Sequence, residues 1–242
     1  MPFTFSHPAL VLPLTYLPKR WFSLTGLIVG SLVTDFEYFI KMKMSSEYSH
    51  TLGGLFWFDL PLGLLLAYLF HNVVRNMLFD NLPILLKSRL YTFTSFDWNN
   101  YAKKHFIVVC LSILVGAFSH VLWDSFTHQD GYFVQLIPFL STKTVILGKS
   151  ISTFKIFQYS STILGGSLVL LSLFLLPKNA HITVEINIKY YLLVILIAFV
   201  AVLLRIWSGI DYKMYGHLIV IIISGIILGL ILTPLILSTK QT

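Results

Sequence analysis

The sequence predicts an all-α fold: a polytopic transmembrane helical bundle of about seven helices, the N-terminal one short. Three observations carry this reading. Charged residues make up 11% of the 242, less than half of the ~25% usual in a soluble domain. Hydrophobic residues reach 56%, and the mean hydropathy is +0.81. The apolar residues also gather into runs near the ~20 residues that a hydrocarbon core requires, at 21–40, 55–78, 106–127, 158–177, 190–207 and 217–238. So few charges cannot cover a soluble globule of 27.6 kDa. Collagen-like, disordered and disulfide-scaffold classes are excluded as well, since the single Cys110 has no partner within the chain.

Taken in order, residues 1–18 lack a basic segment, and Pro8, Pro13 and Pro18 break the apolar run, so no cleavable signal peptide is expected. Residues 6–17 are too short to span. Ser6 is the expected N-cap of a short helix, with Pro8 tolerated in its first turn. That helix would turn at Pro18-Lys19-Arg20 and pair antiparallel with the helix that follows. Asp59 before Leu60-Pro61 and Asp97 in TSFDWNNY read as N-caps. His71 and Arg75 form an i,i+4 pair where cations suit a helix C-terminus. Residues 79–105 form the longest hydrophilic loop, and 128–157 a part-helical, part-interfacial connection. The last three spans are aliphatic with small residues, as lipid-facing or packing helices are. The chain reads as one domain over 1–242, with an aromatic half (1–128) that carries the motifs and an aliphatic half (129–242).

The formal charge is +7, but Lys and Arg are scattered singly or in pairs. That suits anionic headgroups and topology signals, and argues against a nucleic-acid partner. Counting Lys and Arg by loop gives ten on the side of residues 79–105 (among them Lys19, Arg20 and Lys240) against seven on the other. The bias favours a cytoplasmic 79–105 and leaves the opposite orientation open.

Ionisable residues in or beside a span are costly, about 2.5–3.5 kcal/mol at the centre on insertion scales, and mark candidate sites. Asp35 and Glu37 close the 21–40 run, and His50 precedes the next. In FSHVLWDSFTHQDG, His120, Asp124 and His128 recur every four residues, which places them on one helical face. Alternating spans bring all of these to one membrane face, and a short antiparallel first helix brings His7 there too. Imidazoles and carboxylates without thiolate suit a divalent metal such as zinc or manganese. One ion or two are open, two ions being the arrangement that clamps phosphate esters in hydrolysis. Glu37 is then the candidate general base. A Ser-His-Asp mechanism through Ser119 or Ser125 lacks the Gly-x-Ser-x-Gly elbow.

MPFTFSHPALVLPL, GSLVTDFEYF, SHTLGGLFWFDLP and SHVLWDSFTH resemble, in order over residues 1–128, the bacterial integral-membrane family known as domain of unknown function 4184. The family is more distantly similar to inner-membrane proteins grouped as metal-dependent hydrolases. Their pattern combines an N-terminal His, Pro-Asp-x-Asp, Thr-His-Ser and His-x3-Asp. The resemblance implies that His7, Asp35, His50, His120 and Asp124 are ligands, and that the protein lies in the bacterial inner (cytoplasmic) membrane as a multi-pass protein. Thr34 stands where that pattern has Pro, and Glu37 where it has a second Asp. The expectation is a metal-dependent hydrolase at the membrane interface, acting on a lipid-like or phosphate-containing substrate and using His7, Asp35, His50, His120, Asp124 and His128 as metal ligands. The alternatives are a metal or proton carrier and a scaffold with a structural His/Asp network.

Overall fold

The computed structural model describes residues 3–18, 20–183, 187–211 and 213–238. Lys19, in the expected first turn, and Lys240, one of the orientation charges, lie outside the described residues. Turns of 3-10 helix at Thr4–Ser6 and Leu12–Tyr16 flank α1 (Pro8–Val11). Pro13 has no N–H to continue an α-helix, so α1 stays short. Ser6 does not cap it: His7 stands at the N-cap position without a side-chain bond, and the Ser6 hydroxyl donates to the Thr162 carbonyl at 3.0 Å.

Ser23 caps α2 (Leu24–Val33) by accepting from the Gly26 N–H at 3.2 Å. The 21–40 run is therefore not one helix. After Val33 the chain breaks at Thr34 and Asp35, and α3 (Phe36–Lys41) follows. At 10 residues, α2 is about 15 Å long, half of a ~30 Å hydrocarbon core.

Thr51 Oγ1 accepts from the Gly54 N–H at 2.9 Å just before α4 (Leu55–Asp80). Asp59 is thus not the N-cap: it lies inside α4, fully buried. The first five residues of α4 form a wide i→i+5 turn, which fits Pro61, whose missing N–H releases the Trp57 carbonyl. The hydrophilic stretch that follows is mostly helical, with α5 (Ile84–Leu90) and α6 (Trp98–Lys104). Asp97 does cap α6, accepting from the Asn100 N–H at 3.0 Å.

Then come α7 (Phe106–Thr127), α8 (Tyr132–Leu136), α9 (Pro138–Ser141), an antiparallel hairpin of β1 (Lys143–Ile146) and β2 (Lys149–Ser152), α10 (Thr153–Leu175), α11 (Ile188–Trp207) and α12 (Tyr215–Ser238). The hairpin turn holds Leu147 at φ +50° and Gly148 at φ +75°, a left-handed conformation that costs a non-glycine residue about 1–2 kcal/mol. Five described helices are long and apolar enough to cross a membrane: Leu55–Asp80, Phe106–Leu136, Thr153–Leu175, Ile188–Trp207 and Tyr215–Ser238. They coincide with five of the six expected spans, and the chain is a membrane protein.

The helices form two compact units, each drawing on both halves of the sequence. The first holds residues up to Thr34, Tyr48–Leu64 and His105–Leu173. Its core is the α2–α7 pair, with Leu27, Val109, Ile113 and Ala117 fully buried. Glycines set how closely the two helices approach. A Cβ on Gly30 would stand 2.2 Å from the Ile113 carbonyl oxygen, and one on Gly116 2.5 Å from that of Leu27. Only a hydrogen fits at either position. Beyond α7, Val134, Leu140 and Phe154 form a second small core, where Phe126 stacks on Phe133 at 4.1 Å.

The second unit holds Asp35–Glu47, Leu65–Lys104 and the chain from Phe174 onward. There α11 and α12 also meet at glycines, with a Cβ on Gly229 falling 2.6 Å from the Val194 carbonyl oxygen. The His71–Arg75 pair is more than a dipole contact. Arg75 is buried, donates to the carbonyls of Phe96 at 2.8 Å and Thr94 at 3.0 Å, and lies 3.0 Å from His71 Nδ1. His71 in turn stacks on Trp98 at 4.5 Å, so the pair ties α4 to the start of α6.

Candidate metal centre

In the first unit the close approach of α2 and α7 brings the Ser31 carbonyl to 2.7 Å from His120 Nδ1. A carbonyl oxygen only accepts, so Nδ1 carries the hydrogen and donates it. Nε2 is then the nitrogen that a neutral His120 ring could offer to a metal. That nitrogen lies 3.4 Å from Asp124 Oδ2, one turn further along α7. His7, buried just before α1, stacks its ring on His120 at 3.6 Å and sets Nε2 3.6 Å from Asp124 Oδ1. His50 comes from the loop before α4, with Nδ1 3.0 Å from Ser49 Oγ and Nε2 3.5 Å from Asp124 Oδ2. Its ring meets His120 edge-on at 5.6 Å.

Three Nε2 atoms from three separate segments thus face one carboxylate. The spacings of 3.4–3.6 Å exceed ordinary hydrogen bonds of about 2.7–3.2 Å. Those of His50 and His120 to the shared Oδ2, 3.5 and 3.4 Å, lie close to the ligand-to-ligand edges of about 3.3–3.4 Å around a tetrahedral ion whose bonds are ~2.0–2.1 Å. His50, His120 and Asp124 each offer one donor atom, all within 4.8 Å of one another. Neither Asp124 oxygen receives a hydrogen bond of normal geometry among the described residues. An ionised carboxylate buried in this way is costly unless a cation sits beside it. The donor set, the spacing and the carboxylate therefore all fit a divalent metal. The centre is closed on the side of His7 and His120, whose side chains are 0% exposed, and more open towards His50 at 20% and His128 at 32%.

Among the expected residues, His7, His50, His120 and Asp124 come together in this unit. His128 caps α7 next to them: its Nδ1 donates to the Asp124 backbone carbonyl at 3.0 Å and lies 3.7 Å from Oδ2, so Nε2 is its available ligand atom. Asp35 is fully buried at the start of α3 and belongs to the second unit, as does Glu37. Oε1 of Glu37 accepts from Lys41 Nζ at 2.7 Å and from the Glu47 N–H at 2.8 Å. This pairing with Glu37, and less so with Glu47, holds the Lys41 ammonium above its ordinary pKa. Ser119 and Ser125 donate their hydroxyls to the helix carbonyls of Gly116 and Leu122, as structural serines do.

Sequence reasoning missed the Ser31 carbonyl, since a backbone acceptor has no residue signature. The signal that leads to it is Gly26-Leu-Ile-Val-Gly30, a small-xxx-small pattern in an apolar run. That pattern marks the face of α2 that meets another backbone. A family model described as "Domain of unknown function (DUF4184)" matches residues 1–235. No curated protein and no solved structure matches the chain.

Proposed function

The chain belongs to the DUF4184 family, and from that premise we propose a metal-dependent hydrolase working at the membrane–water boundary of the bacterial inner membrane. The observation that carries the proposal is Asp124, a buried carboxylate faced by three imidazole nitrogens at 3.4–3.6 Å. His7, His50, His120 and Asp124 are the proposed inner ligands, with zinc or manganese as the ion. Asp35 and His128 complete the set named from the sequence, supported by the burial of Asp35 and the position of His128 beside Asp124. A divalent ion held there supplies Lewis-acid polarisation and activation of a water nucleophile.

The chain's own groups do the rest. Ser31 orients His120, and the packed ring of His7 excludes water from the closed side. The more open side at His50 and His128 admits the substrate. A site in the end turns of a crossing helix meets lipid headgroups before soluble metabolites, which favours a lipid-like or phosphate-containing substrate. Glu37 is the proposed base. Glu37→Gln keeps the shape, so the expected result is lost turnover with metal content retained.

The experiment is metal quantification of detergent-purified full-length protein, beside Asp124→Asn and His120→Ala, with turnover of a chromogenic phosphodiester and a labelled phospholipid. The expected result is bound zinc or manganese that falls about tenfold or more in both variants, with turnover falling in parallel. Metal without turnover would favour a carrier. Equal metal content in wild type and variants would leave a scaffold, a reading that the His7–His120 stack alone would also satisfy.

A further inference from the structure

The β1–β2 hairpin lies outside the metal centre, yet its turn is strained without any packing gain inside the chain. Two-residue hairpin turns with positive φ at both positions favour Asn-Gly or Gly-Gly. Here the first position is Leu147, at φ +50° and 98% exposed. Val145 and Ile146 beside it are 71% and 40% exposed. A strained backbone that presents three consecutive apolar side chains to the outside points to a function at that tip.

Charge and position identify what the tip meets. Lys143 and Lys149 are exposed on the two strands, and Lys155 is exposed in the first turn of α10. No Asp or Glu stands between Asp130 and Glu185. The hairpin runs directly into α10 at Thr153, so its base adjoins the first turn of a helix long and apolar enough to cross the membrane. The preceding crossing helix is α7. When α7 and α10 cross in succession, the connection between them stays on one side, together with His128 at the end of α7.

We propose that the hairpin is a lipid-docking wedge. Val145, Ile146 and Leu147 enter the acyl boundary of the leaflet on the His128 side, and Lys143 and Lys149 hold the phosphates of anionic headgroups. The wedge does not depend on the hydrolase reading and stands or falls by itself. Its occupant is an anionic lipid surface rather than a second protein, because an apolar tip framed by cations without acids is complementary to that surface.

The test uses full-length protein carrying Cys110→Ser and Leu147→Cys, labelled at residue 147 with an environment-sensitive fluorophore and reconstituted into bilayers. Expected is a blue-shifted emission quenched by acyl-brominated lipid and shielded from iodide, more strongly in phosphatidylglycerol-rich than in pure phosphatidylcholine bilayers. Lys143→Gln with Lys149→Gln should lower that anionic preference about fivefold per lysine. Both positions are exposed, so folding is preserved, and helical circular dichroism checks it. Free access of iodide to residue 147 in anionic bilayers would overturn the proposal. So would shielding that ignores lipid charge and disappears on dilution of the protein, which would mark contact between two copies.

Discussion

Asp124 and His120 sit one helical turn apart, yet opposite constraints fix them. His120 is held by a carbonyl from α2 at 2.7 Å, whereas the Asp124 oxygens are turned towards imidazole nitrogens. A neutral Nε2 and a carboxylate oxygen are both acceptors, so their approach to 3.4 Å calls for a proton or a metal ion between them. Each imidazole must be neutral to ligate, and an ordinary histidine titrates near pH ~6.5. Protons therefore compete with the ion as pH falls, and the protein should lose metal on dialysis from about pH 7 to about pH 5 and regain it on return. Metal retained at the lower pH would contradict imidazole ligation. At this scale the sequence was informative: His120 and Asp124 recur at i and i+4 on a long apolar helix, and His7 and His50 belong to recognisable motifs. The backbone of Ser31 could not be read, because any residue supplies the same carbonyl.

The elements that carry the site depend on small residues more than on apolar ones. With a Cβ at Gly116 meeting Leu27 O at 2.5 Å and Ser31 N at 2.6 Å, Gly116→Leu must push α2 away from α7 and withdraw Ser31 from His120. The variant should lose about 1–3 kcal/mol from overpacking, read as a lower Tm in detergent, and metal content should fall with it. Gly53→Ala, where an added Cβ meets nothing within 4 Å, should change neither. A Gly116→Leu protein with wild-type Tm and metal content would separate the helix contact from the site. Crossing helices were legible because long aliphatic runs admit few other structures in a membrane. The break at Thr34-Asp35 was not, since two polar residues inside an apolar run look the same whether the helix continues or stops. The hairpin escaped because its strands have four residues each and Leu-Gly is not a turn signature.

For the whole molecule, five helices long and apolar enough to cross predict that alkaline carbonate leaves the chain in the membrane pellet and that detergent releases it. Release by carbonate alone would contradict a multi-pass protein. The scarcity of charge that reveals the membrane class also explains why the site stands out. Each buried ionisable group needs its own physical explanation, which Arg75 finds in backbone carbonyls, Glu37 in Lys41 and the imidazole-ringed Asp124, on the proposal made above, in a metal. The most direct test of that last assignment is a metal-edge X-ray absorption spectrum of the purified full-length protein. The account predicts a shell of nitrogen and oxygen ligands at about 2.0–2.1 Å, with the outer scattering of two or three imidazoles. A spectrum without imidazole scattering, or one unchanged in Asp124→Asn, would contradict it.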